Sequence, residues 1–132
     1  MYELQPHSVA KAAGEPLTEK TLHTGMGAII GTPEYISPEE GLGEAASARS
    51  DLYSMGVILF HLLTRRVPFH ESSAIETVLK HINAEPPHPR KLAPHADARL
   101  SRVCLDAMEK DPKQRYGSAR EMLADLRGET PP

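Results

Sequence analysis

Apolar residues along this chain gather into separate clusters with helical spacing, and a long stretch with no such pattern precedes them. From Met1 to Gly27 neither a period of 2 nor one of 3.6 is sustained, and Gly, Pro, Thr, His and Lys are frequent, which reads as a loop-rich arm. Ala28-Ile29-Ile30 close the arm with a short apolar clip. The organisation expected is an irregular arm over 1–27, one helical body over 28–127 and a tail or linker over 128–132.

About five helices are predicted in the body. Ser37 opens a short one, with Pro38 at the first helical position and Glu40 placed to complete a capping box, and Gly41 and Gly43 stop it early. The next runs from Ser50 or Asp51 to about Thr64 and is apolar on every side. Such a helix is either a membrane span or the centre of a soluble core. His61 interrupts its longest apolar run and Arg65 and Arg66 follow soon after, so the core reading is preferred. A third helix, Ser73 to about Asn83, sets Ile75, Val78, Leu79 and Ile82 on one face and halts at the loop Pro86-Pro87-His88-Pro89. The fourth, about Ala96 to Lys110, carries an apolar stripe of Leu100, Val103, Cys104, Ala107 and Met108 before Pro112 ends it. The last runs from a Ser118 cap, with Glu121 at the capping-box position, to Gly128. No strand and no internal repeat is predicted, and the fold class is mainly α.

Composition narrows the partners more than the fold. The 132 residues carry 15 Lys and Arg against 18 Asp and Glu, so no basic surface suggests nucleic acid or anionic lipid. The hydrophobic fraction of 39% and charged fraction of 25% are those of an ordinary globular domain. One cysteine, Cys104, rules out an internal disulfide and fits a reducing compartment; it reads as a small core residue, with a reactive thiol as the alternative. With neither a signal peptide nor a membrane span in the sequence, a cytoplasmic location is expected. The seven histidines have neither the spacing of a helical metal pair nor a carboxylate cluster beside them, so no metal site is expected, and His61 reads as a helix-face residue at the core edge.

Three motifs point to chemistry. Gly31-Thr32-Pro33-Glu34-Tyr35 is followed by Ser37-Pro38-Glu39, then by Ser50-Asp51-Leu52-Tyr53-Ser54-Met55-Gly56, and Arg115 comes shortly after Asp111-Pro112. Gly-Thr-Pro alone would be no more than a turn. In this order, and with the helix pattern between them, the motifs resemble the second half of a Ser/Thr protein kinase domain of the bacterial type, from about Val9 to Arg127.

The resemblance implies a fragment of the kinase C-terminal lobe, from the activation segment onward, and it implies roles for particular residues. Gly31, Thr32, Pro33 and Tyr35 would form the loop that receives the substrate next to its phosphorylated Ser or Thr, with Thr32 marking Ser/Thr specificity. Glu39 and Arg115 would be a structural ion pair between distant segments, an arrangement that suits a bidentate guanidinium–carboxylate contact. Asp51 and Gly56 would be scaffold positions, with capping and the positive helix end as the local role of Asp51. Thr18, Thr21 and Thr24 fall where an activation loop would lie, and Thr21 and Thr24 are the candidate phosphosites.

The same resemblance marks what the 132 residues lack. Phosphoryl transfer in the family needs a glycine-rich loop, a strand lysine, an aspartate base with its asparagine, and an Asp-Phe-Gly aspartate for magnesium. None is found in this sequence, so no catalytic residue is assigned, and ATP and Mg are expected only for an intact family member. Val9-Ala10-Lys11 looks like the step that follows Asp-Phe-Gly, and Pro6-His7-Ser8 stand in that triplet's place, which raises the expectation of a frameshift or truncation just upstream of Val9. Three functions are carried forward. One is a kinase segment inactive by itself; another is a helical docking module; the third is a kinase active only when a complementing half joins it, with protein substrates as partners.

Overall fold

The computed structural model describes residues 32–129. The arm, Gly31, Thr18, Thr21, Thr24 and residues 130–132 lie outside these residues. Among the described residues there are six α-helices, two 3₁₀ turns and no strand. The helices are α1 (Pro38–Gly41), α2 (Ala48–Thr64), α3 (Ala74–Asn83), α4 (Pro89–Leu92), α5 (Ala98–Ala107) and α6 (Ala119–Leu126). The 3₁₀ turns are Pro33–Tyr35 and Pro112–Gln114.

Local chemistry fixes most helix starts. At α1 the full capping box is present: the Ser37 hydroxyl accepts the Glu40 amide, and the Glu40 carboxylate accepts the Ser37 amide. Ser73 and Asp97 cap α3 and α5 in the same one-sided way, each accepting the amide three residues on. Ser118 caps α6 through the Glu121 amide, but the Glu121 carboxylate accepts from Gly117 and not from Ser118, so the expected box is replaced by a bond one residue upstream.

Several sequence expectations need correction. The long helix begins two or three residues earlier than expected, because Ser47 is its cap and forms a capping box with Ser50. Asp51 therefore does not cap it; it is exposed in the first turn, where only the favourable placement at the positive helix end remains. The expected Ala96–Lys110 helix is shorter, Ala98–Ala107, with Asp97 as cap and Met108 leaving helical geometry. The proline-rich stretch after α3 contains the extra helix, α4, started by Pro89 behind a His88 cap.

Helix α2 packs along α5 to form the centre of the fold. One cluster joins Tyr53, Val57 and Phe60 of α2 to Cys104 and Met108. A second places Leu52 against Val103, Ala107 and Met122 of α6, and a third seats Ile36 on Val78 of α3. Gly56 permits the α2–α5 approach: a Cβ there would stand 2.9 Å from both Ala107 Cβ and Met108 Cγ. Cys104 is buried and its thiol donates to the Gly56 carbonyl at 3.3 Å, with burial pushing its pKa up to about 12, the setting of a core residue.

Helix α2 is not buried all round. Met55, Ile58 and Leu62 form an exposed apolar stripe, with Leu62 76% exposed. The spacing of these residues places them on one face, opposite the α5 contact.

Candidate substrate loop and its clamp

The loop begins with Thr32, exposed and extended, followed by the Pro33–Tyr35 turn. Pro33 supplies the fixed φ of a first turn residue and no N–H. The turn's own hydrogen bonds are long, 3.3 Å from the Tyr35 amide to Thr32 O and 3.5 Å from the Ile36 amide to Pro33 O. Its position is set from outside: Ser54 of α2 donates to the Tyr35 carbonyl at 2.7 Å, and the Tyr35 hydroxyl meets His61 Nδ1 at 2.9 Å. Glu34 pairs with His70 at 2.8 Å, and Ile36, buried between turn and α1, packs on α3.

Immediately after the loop, α1 presents Glu39 to Arg115. The guanidinium donates through both terminal nitrogens, at 2.7 Å to Oε2 and 2.8 Å to Oε1. Both residues are buried. Arg115 also donates to the carbonyls of Glu109, Lys110 and Arg49, so every arm of the fork is used. On the other side the Ser50 hydroxyl donates to Glu39 Oε2 at 2.8 Å. Burial pushes the Glu39 carboxyl upward, yet the bonds from Arg115, the backbone and Ser50 outweigh it and hold the pKa below the ordinary glutamate value.

Behind the clamp lies an aromatic and basic layer. The Tyr53 ring is fully buried, with the Arg115 guanidinium 5.0 Å from its centroid, and its hydroxyl meets His81 Nδ1 at 2.6 Å. Lys110 places its ammonium 5.0 Å from the Phe69 centroid and donates to the His81 carbonyl at 2.6 Å, fastening the end of α3. Burial lowers the Lys110 pKa to about 8. Burial, helped by the Lys110 charge, lowers that of His81 to about 4.

The structure thus gathers Thr32, Pro33, Tyr35, Glu39 and Arg115 into one region, while Gly56 lies in the α2–α5 packing and Asp51 on the surface. Sequence reasoning missed Ser50, Tyr53, His81 and Lys110. Two of these carried a signal, since Ser50 and His81 are polar residues on helix faces that also hold core apolar residues. Among the described residues no group of three or more His, Cys, Asp or Glu stands together to hold a metal ion. Nor does any described helix have the length and apolarity to cross a membrane. The hydroxyls of Ser50 and Tyr53 are spent on buried hydrogen bonds to Glu39 and His81, and the contacts at Tyr35 and Glu39 hold the loop in place.

Comparison with known proteins gives the chain a family. A family model described as protein kinase domain matches residues 13–126. Serine/threonine-protein kinase PrkC of Bacillus subtilis is 38% identical over 107 residues, which cover 81% of this chain and 16% of PrkC. Serine/threonine-protein kinase pkn3 of Myxococcus xanthus is 44% identical over 107 residues, 78% of this chain and 19% of that relative. Serine/threonine-protein kinase PknB of Mycobacterium tuberculosis is 40% identical over 103 residues, again 78% of this chain and 16% of the relative. The chain therefore spans between about a sixth and a fifth of the length of these relatives. With a match over most of its length, and at this identity, the chain belongs to the protein kinase domain family.

Proposed function

We propose that these residues are the substrate-loop half of a Ser/Thr protein kinase domain, the C-terminal-lobe part from the activation segment onward. Their task is to hold Thr32–Tyr35 in position for a protein substrate. The observation that carries this reading is the buried Glu39–Arg115 pair, which anchors the loop's exit to a segment 76 positions away and fixes orientation as well as distance. The exposed stripe of Met55, Ile58 and Leu62 is consistent with it, since apolar positions on the longest helix are what a missing packing partner would leave uncovered.

By itself the 132-residue chain would not bind ATP or transfer phosphate. The residues present do not fit magnesium-nucleotide: no glycine-rich loop, strand lysine or Asp-Phe-Gly occurs in the sequence, and the described residues offer no carboxylate cluster. Phosphorylation would then require the nucleotide-binding half, whether from a longer chain or a separate one. A cytoplasmic setting suits this reading, with Thr21 and Thr24 as sites where phosphate would act on the arm.

Calorimetric titration of ATP and magnesium into the purified chain tests the first part, with no saturable heat expected. Saturable binding would overturn the claim of inactivity in isolation. For the second part, co-expression with a nucleotide-binding half from a related kinase should yield phosphotransfer to a generic protein substrate. Tightly folded, co-purifying halves that still transfer nothing would count against the kinase-half reading.

A further inference from the structure

Two residues of the Pro33–Tyr35 turn are each met by a histidine, and the two histidines come from different parts of the chain. From α2, His61 Nδ1 meets the Tyr35 hydroxyl. From the loop after α2, His70 Nδ1 meets the Glu34 carboxylate. It is the geometry that brings them to one turn.

The turn needs such outside support. A three-residue 3₁₀ turn has poor internal bonds, and here they measure 3.3 and 3.5 Å, while Pro33 contributes no donor.

We propose that His61 and His70 are positioning residues that together clasp the Pro33–Tyr35 turn from two sides. The clasp's purpose rests on the reading of Thr32–Tyr35 as the substrate loop. Its existence does not, and it is measured without any nucleotide. Each histidine restrains a different group, a hydroxyl for His61 and a carboxylate for His70. Loss of one contact therefore loosens the turn without unfolding the helices.

Amide NMR on the full 132-residue chain tests the clasp. His70→Ala and His61→Ala remove exposed side chains and leave the core intact. Each should shift the Glu34, Tyr35 and Ile36 amides and speed their hydrogen exchange roughly fivefold, as expected for loss of one hydrogen bond. Amides of α5 and α6 should keep their shifts and protection. His70→Asn and His61→Asn place a side-chain amide where Nδ1 stood, and should restore most of the turn's protection. Turn amides unmoved by the double His61→Ala, His70→Ala variant would overturn the proposal, as would Ala and Asn variants that behave alike. A uniform loss of protection across all helices would also overturn it, because that is the mark of general destabilisation. Failure of the ATP titration to match expectation would leave these amide results standing, so the two readings fail separately.

Discussion

Arg115 lays both terminal nitrogens of its guanidinium on the two carboxylate oxygens of Glu39, across 76 positions of sequence, with both side chains almost wholly out of water. Two parallel bonds make this a hinge pin between α1 and the segment before α6. Removing one member strands the other's charge in the interior.

Glu39→Ala and Arg115→Ala should each cost about 3–5 kcal/mol. Arg115→Ala should be the worse of the two, because it also abandons the carbonyls of Glu109, Lys110 and Arg49. Denaturant unfolding of both single variants and the double variant measures the coupling. The double loss should fall well short of the sum, and additive losses would show that the two residues act independently.

Gly56 gives a prediction whose sign runs against helix propensity. In an exposed helix interior, Gly→Ala stabilises by about 0.5–1 kcal/mol. At Gly56 the new methyl would meet Ala107 and Met108 at 2.9 Å and the Cys104 carbonyl at 3.2 Å. Gly56→Ala should therefore destabilise by about 1–3 kcal/mol, the range for overpacked cores. A urea midpoint that rises in this variant would mean that α2 and α5 can part without cost.

Helix starts were legible because a cap is a local device: Ser37, Ser73 and Ser118 each lie three residues before the amide they accept, and that spacing is visible in one dimension. The start of α2 was misplaced because Ser47 and Ser50 both fit a cap, and only folding decides which accepts. Which sides of α2 are covered was illegible for a different reason. Apolar residues surround the helix, so no period distinguishes Val57, buried, from Ile58, exposed. At the candidate site, nothing local connects Glu39 to Arg115; family resemblance supplied that pairing. Ser50 and Tyr53 lie in a recognised motif and His81 on a core-facing helix side, yet none could be paired from the sequence, since their partners come from separate elements.

The exposed stripe of α2 should behave as surface in the isolated chain. Leu62→Gln, at a side chain 76% exposed, is expected to change unfolding stability by no more than about 0.5 kcal/mol. Phe60→Ala, two positions away and fully buried, should cost about 3–5 kcal/mol. Light scattering across a concentration series should show less self-association for Leu62→Gln, because apolar contact area is removed. A large stability loss in Leu62→Gln would instead place this face inside the fold.

Acid should weaken the fold in a window set by His81. Its pKa is lowered to about 4, first by burial and then by the Lys110 charge, from an ordinary value near 6.5. The folded chain therefore keeps the ring neutral while the unfolded chain takes up a proton. Stability from this group is fully present above about pH 6.5, falls as pH drops toward 4, and flattens below that. The loss over the window should be on the order of 3 kcal/mol, from the two pKa values. Glu39 acts in the same direction at lower pH, since its depressed pKa gives stability that is lost once the carboxylate protonates. Urea midpoints taken from pH 8 to pH 4 read the combined slope, and the ring carbon resonances of His81 read its own titration. A His81 midpoint near 6.5 in the folded chain would remove its share of the slope, and the acid loss would then belong to the carboxylates alone.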